Sequence, residues 1–181
     1  MSYYISFLGA PGAGKGTQTN KITSALNIPC FATGDLIRNE INKASEIGKQ
    51  TQEFLTRGEL VPDSIINNLF KMYIENGLID SGFIADGFPR TIAQSRMFME
   101  RLSNKKLPIR IFSLEVSLDT LKKRLESRKR SDDTTELVIR RYNIFSTMIK
   151  ELKSYFGDQI IEIDGDNKEN VVFNSIMEHL K

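Results

Sequence analysis

Cysteine and histidine are almost missing from this chain: Cys30 and His179 are the only examples among 181 residues. A single cysteine excludes an intrachain disulfide and fits a reducing compartment. Near the end of a short apolar strand, Cys30 is expected to be a buried structural thiol. One Cys and one His cannot supply a four-ligand zinc site of the usual Cys/His kind. His179 lies two residues from the end, where exposure is expected, so neither a Ser–His–Asp nor a Cys–His arrangement is available. Charge of one sign is scarce too. Lys plus Arg is 25 against 23 Asp plus Glu, a net charge of +2, which gives no general case for nucleic-acid or membrane binding. No apolar stretch approaches the ~18 residues that a membrane span requires. The amino-terminal apolar run lacks a basic region before it and does not read as a signal peptide. Repeats, low-complexity tracts and Pro-rich linkers are absent. These absences lead us to expect a soluble, cytoplasmic-type protein of one well-cored domain.

What is present centres on Gly9-Ala10-Pro11-Gly12-Ala13-Gly14-Lys15-Gly16-Thr17. The apolar run before it reads as a buried strand, and Ile22, Ala25 and Leu26 after it are at helical spacing. Strand, glycine loop and helix in that order are the context of a phosphate-binding loop. The glycines let several backbone N–H groups converge on one anion at the positive end of the helix. Lys15 adds a point charge for the outer phosphates, and Thr17 a hydroxyl near Mg²⁺. Gly16 stands where the general motif has Ser or Thr, so the hydroxyl comes one place later.

Along the chain, strands are expected at 3–8, 29–31, 83–86, 109–116 and 159–163, and helices at 15–26, 36–43, 49–57, 64–76, 92–103, 118–128, 135–156 and 168–180. Asp35 and Asp63 read as N-caps, and Gly58, Gly77 and Gly157 as helix stops. The alternation implies an α/β fold, a five-stranded parallel sheet with helices on both faces. Three helical segments in succession before Phe83 break the alternation. The first two suggest a small insertion at the carboxyl edge of the sheet, where a substrate lid belongs.

The strand Phe83-Ile84-Ala85-Asp86 ends in an acid, which is ordinary turn chemistry in many proteins and a Mg²⁺ partner in phosphate-loop enzymes. Gly87-Phe88-Pro89-Arg90-Thr91 follows it, placing a guanidinium just beyond the acid. With this stretch the chain resembles the adenylate kinases of the nucleoside monophosphate kinase family, in a short-lid form. The glycine loop is similar to the family's, including the Gly before the Thr. Thr33-Gly34-Asp35 with Arg38, the turn Gly58-Glu59-Leu60-Val61, and Asp86 to Gln94 resemble its monophosphate-binding stretches. Four motifs in the family's order cover nearly the whole chain.

The resemblance implies a Mg²⁺-dependent transfer of the terminal phosphoryl group of ATP to AMP, giving two ADP. By it Gly12, Ala13, Gly14, Lys15, Gly16 and Thr17 cradle ATP, with Asp86 oriented toward Mg²⁺ through water. Thr33 and Arg38 hold AMP, the backbone of Glu59, Leu60 and Val61 lines its base, and Gly87, Phe88, Pro89 and Arg90 complete the site. Gln94 would hydrogen-bond adenine, favouring AMP over UMP or CMP. Arg124 would lie near the base and phosphates of ATP, and Arg128, Arg130 and Arg141 would close on the phosphates, with Asp132 and Asp133 anchoring the lid or orienting an arginine. Arg124 and Arg128 are four apart and share a helix face. Asn167 lies where the family's backbone touches the adenine of ATP, although a plain turn explains the same residues. Only Lys129 separates Arg128 from Arg130, so the lid is minimal and carries no zinc. The implied organisation is a core of 1–31, 62–126 and 134–181, a monophosphate-binding insertion at 32–61 and a lid at 127–133. The implied partners are ATP and AMP on a monomer, without nucleic acid or membrane.

Such a reaction needs no histidine. The nucleophile is a phosphate oxygen, already largely ionised at neutral pH because its second pKa is about 6. The work is to hold two polyanions in line and stabilise the transition-state charge. A UMP/CMP kinase and a nucleotide-binding switch are the rival readings. Against the switch, the chain has no Asn-Lys-x-Asp element for reading guanine.

Overall fold

The computed structural model describes residues 2–75, 81–103, 105–128 and 134–181, the side chains of Arg128 and Thr135 excepted. Five parallel strands form one sheet: β1 (Tyr4–Gly9), β2 (Cys30–Ala32), β3 (Phe83–Asp86), β4 (Ile109–Glu115) and β5 (Ile160–Asp164). Their order is β2-β3-β1-β4-β5, with the first strand at the centre. Alternation along β1 assigns its two faces. Ile5 and Phe7 join Ile84, Phe112 and Leu114 on one side, and Tyr4 joins Phe83 and Ala85 on the other. Both sets are fully buried, which is why these strands read as near-continuous apolar runs.

Eight helices are described: α1 (Lys15–Leu26), α2 (Thr33–Asn42), α3 (Glu46–Arg57), α4 (Asp63–Tyr73), α5 (Ile92–Leu102), α6 (Leu118–Arg128), α7 (Thr135–Phe156) and α8 (Glu169–Glu178). Ile22 of α1, Leu121 of α6, and Val172 and Ile176 of α8 cover the first face of the sheet. Phe70 of α4 and Phe98 of α5 cover the second, and α7 adds Ile149, Leu152 and Phe156 beside Leu8. Phe31, Phe70, Phe83, Phe88 and Phe98 form an aromatic knot there, tightest between Phe70 and Phe88 at 4.7 Å between centroids. The chain's two ends meet where the Tyr3 hydroxyl donates to the Leu180 carbonyl at 2.9 Å.

The expected helix starts fail at three places. The second helix begins at Thr33, capped by Ala32, because β2 runs straight into it; Asp35 therefore lies inside the first turn and pairs with Arg38. Pro62, not Asp63, occupies the cap of α4, and Asp63 is its first residue. The third helix also starts earlier than expected, because Ser45 caps it by accepting the Gly48 N–H at 3.0 Å. Gly58 and Gly157 end α3 and α7 with positive φ, as expected. Gly77, the expected stop of the fourth helix, lies outside the described residues.

The elbow between α2 and α3 is tight. The Glu40 carbonyl accepts both the Ser45 N–H at 3.1 Å and the Ser45 hydroxyl at 3.2 Å. Gly48 is the contact point between the helices. A Cβ there would lie 2.2 Å from the Glu40 carbonyl oxygen.

Candidate active site

At the carboxyl edge of the sheet, between α2, α3 and α7, lies a cavity of about 970 Å³. The glycine loop forms one wall. Gly12 and Gly14 take φ of 86° and 94°, conformations that a Cβ would strain. Helix α1 begins just after Gly14 with no side-chain cap and no acid in its first turn. Its first N–H groups and the positive end of its dipole are thus left for an anion. Lys15 folds back over the loop, its ammonium donating to the carbonyls of Gly9 at 2.7 Å and Ala10 at 3.1 Å.

Three guanidinium-bearing side chains reach the same space from different elements. Arg38 comes from α2, Arg90 from the loop after β3, and Arg141 from α7. Arg90 Nε donates to the Gly87 carbonyl at 2.6 Å. Burial lowers the Arg90 pKa, Asp86 acts in the opposite direction, and Arg141 and Arg38 lower it further. Like charges held together in this way are costly until an anion enters, so the arrangement is built for one of high charge. Arg141 also donates to the Leu55 carbonyl at 3.2 Å, and Arg140 beside it forms a 2.6 Å ion pair with Glu59. These contacts join α7 to the end of the insertion. Arg124 reaches back from α6 to the carbonyls of Ala13 at 3.3 Å and Gly165 at 2.8 Å, bracing the glycine loop.

Asp86 ends β3 in register with Phe7 of β1 and Ala32 of β2. A Cβ on Gly16 would come within 3.7 Å of its carboxylate oxygen. Thr33 donates its hydroxyl to the Asp86 carbonyl at 3.2 Å, tying the start of α2 to this strand end. With the exposed Thr17 also on the cavity wall, an acid and a hydroxyl face the anion cradle. That is an all-oxygen donor set suited to Mg²⁺, which keeps several of its waters. Among the described residues no group of three or more His, Cys, Asp or Glu is placed to hold a metal alone.

Most of the expected site residues meet here. Gly12, Gly14, Lys15, Gly16, Thr17, Thr33, Arg38, Glu59, Leu60, Val61, Asp86, Gly87, Arg90, Gln94, Arg124 and Arg141 all line the cavity. Four others do not. The Phe88 side chain is buried in the aromatic knot, and its carbonyl accepts from Ser6 at 2.7 Å. Pro89 beside it is buried as well. Ala13 is 2% exposed and spends its N–H on the Ala10 carbonyl, closing the loop's own turn. Asn167 donates to the Asp164 carboxylate at 2.8 Å, the plain-turn alternative. Arg130 and the side chain of Arg128, with Asp132 and Asp133, lie outside the described residues.

The cavity also takes in residues the sequence did not single out. Ile144, Phe145 and Met148 of α7 form an apolar wall, and Cys30, the first residue of β2, also lines the cavity. Phe145 and Met148 follow Arg141 at i+4 and i+7, so the helical period from that arginine was the available signal. Cys30 is half-buried rather than buried. Burial, with Asp86 adding, pushes its thiol up to about 12, which makes it a neutral wall residue. His179 is exposed, as expected.

Residues 7–161 match the family described as Adenylate kinase. The chain is 39% identical to the adenylate kinase of Corynebacterium urealyticum over 163 residues, covering 90% of each protein. It is 34% identical to that of Trichodesmium erythraeum over 184 aligned positions, covering 97% of this chain and 96% of the relative. Adenylate kinase 1 of Nostoc is 36% identical over 176 positions, with 95% of each covered.

Proposed function

The chain belongs to the adenylate kinase family, and from that premise we propose how its cavity divides between two nucleotides. The enzyme is an ATP:AMP phosphotransferase: the terminal phosphoryl group of ATP passes to AMP and two ADP result. ATP lies along the glycine loop, its phosphates on the N–H groups of Gly12, Gly14, Lys15, Gly16 and Thr17 and on the Lys15 ammonium. AMP lies against the insertion 32–61, its phosphate on Arg38 and Arg90 and its base against Glu59 to Val61 and Gln94. We assign 127–133 as the lid over ATP and the remainder as core.

Lys15 must leave the Gly9 and Ala10 carbonyls when phosphate arrives, which costs two hydrogen bonds to neutral groups and gains contacts with charged oxygens. Arg90 and Arg141 then face the transferring group from the two sides of the cavity. Their mutual repulsion in the empty site turns to attraction for the extra charge of the transition state. Asp86 and Thr17 would hold Mg²⁺, the general companion of ATP in these enzymes, where it would supply positive charge to offset that of the phosphates. Closure of the insertion and lid excludes water, the competing acceptor.

We further propose that it acts as a monomer. Among the described residues, the large apolar side chains it exposes, Met72, Ile139, Tyr155 and Val171, are distributed over α4, α7 and α8. No described helix is long and apolar enough to cross a membrane.

The observation that carries the site assignment is the convergence of Arg38, Arg90 and Arg141 opposite a glycine loop, which suits two polyanions better than one. A coupled assay with ATP and Mg²⁺ tests it, offering AMP, UMP, CMP and GMP separately. Rapid ADP formation with AMP alone is expected. Preference for UMP or CMP would keep the mechanism and overturn the assignment of the base site.

A further inference from the structure

Asp63 does not line the cavity, yet its carboxylate makes two short side-chain hydrogen bonds. One oxygen accepts from the Thr91 hydroxyl at 2.7 Å, and the other from the side-chain amide nitrogen of Gln94 at 2.7 Å. On its opposite side the same amide accepts the backbone N–H of Arg90 at 2.7 Å through Oε1. Thr91 is itself fixed, accepting the Gln94 N–H at 3.1 Å as the cap of α5. Gln94 is 2% exposed, so an amide turned the wrong way has no water to rescue it.

The polarity of the two partners admits one orientation. An ionised carboxylate only accepts and a backbone N–H only donates. Reversing the amide would set oxygen against carboxylate and N–H against N–H. In the observed orientation one amide hydrogen and one carbonyl lone pair remain uncommitted. The edge of adenine offers the ring acceptor N1 beside the donor N6 amino group, and matches a carboxamide held this way. A 6-oxopurine offers the reverse order, with N1–H as donor and O6 as acceptor.

We propose that Asp63 is a specificity-determining positioning residue, fixing the Gln94 amide so that it accepts 6-aminopurine and rejects 6-oxopurine monophosphates. The inference rests on the reading of Gln94 as the adenine contact. Asp63 acts at the point where the insertion returns to the core, one residue before Ser64 of α4 and two after Val61.

The test compares kcat/KM for AMP and for IMP in the full enzyme and three variants. The ratio is taken on one preparation, so the folded fraction cancels. Asp63→Asn keeps the shape but accepts or donates equally, and leaves the Arg90 N–H as the one group that still opposes a turned Gln94 amide. The AMP-to-IMP ratio is expected to fall about tenfold, the worth of one hydrogen bond to a charged group. The fall comes mainly through KM for AMP, with kcat at saturating AMP kept within about threefold. Asp63→Glu retains an acceptor-only carboxylate and is expected to hold the ratio within about threefold of the parent enzyme. A normal ratio in Asp63→Asn beside a lost one in Gln94→Ala would overturn the role of Asp63 alone. Equal losses in the Asn and Glu variants would mark Asp63 as merely structural. A normal ratio in Gln94→Ala would remove the adenine contact and this inference with it.

Discussion

Replacing Gly48 by alanine sets two well-known effects against each other. Gly48 lies inside α3, where alanine normally stabilises a helix by about 1 kcal/mol. Here the added Cβ would lie 2.2 Å from the Glu40 carbonyl oxygen, 2.5 Å from its carbon and 2.7 Å from the Ile41 nitrogen. All three are backbone atoms. The carbonyl cannot swing aside, because the N–H and hydroxyl of Ser45 both hold it. Relief requires α2 and α3 to part by about 1 Å, and overpacking of that kind costs about 1–3 kcal/mol. The clash matches or outweighs the propensity, leaving a net loss of up to about 2 kcal/mol and a Tm lower by up to roughly 8 °C for a chain of this size. The damage is local, since α2 carries Arg38 and α3 leads into Glu59 to Val61. KM for AMP should rise about threefold to tenfold while KM for ATP stays within about twofold. Thermal melts and steady-state kinetics with each nucleotide varied in turn provide the check. Gly157→Ala serves as a control, because nothing lies within 4 Å of its Cβ position and only its φ of 54° opposes the change. A higher Tm in Gly48→Ala with unchanged KM for AMP would refute the reasoning.

Two further outcomes follow from the site. Arg90→Lys keeps the charge but loses the planar fork and the Nε contact with Gly87; kcat should fall roughly 100-fold to 1,000-fold with Tm nearly unchanged, and a loss under tenfold would remove Arg90 from the phosphoryl site. Raising the Cys30 pKa from 9.0 to about 12 cuts its thiolate fraction at pH 8 roughly a thousandfold, so alkylation should be very slow until guanidinium unfolds the chain. The sign for stability follows: the contribution is fully present below about pH 9 and is lost as pH rises toward about 12. Alkylation of the folded enzyme as fast as that of free cysteine would refute the shift.

Strand positions were legible because buried parallel strands are short apolar runs, and all five observed strands lie within a residue of expectation. The starts of α2 and α3 were not. Thr33-Gly34-Asp35 has the composition of a loop, and only its continuity with β2 makes it a helical turn. The site was legible where function resides in local order, as in the glycine loop and in Asp86 to Gln94. Phe88 shares that stretch, but its neighbours in space are Phe70 and Ser6, which spacing along the chain does not reveal. The apolar wall from α7 was hidden for the same reason, since Phe145 and Met148 look like any core-facing pair until the helix is docked.

The position of β1 at the centre of the sheet has a consequence for how the protein is made. The glycine loop is synthesised before β3 and β4, yet the strand that carries it hydrogen-bonds on one side to β3 and on the other to β4. A ribosome must pass Glu115 before both neighbours exist, and the Ile5–Phe7 face waits further for Val172 and Ile176 of α8. At ~5–20 residues per second, a nascent chain carries its nucleotide-binding loop for seconds on an apolar strand without a sheet. ATP therefore cannot nucleate folding early in synthesis, and this strand is the segment that a chaperone would have to shield.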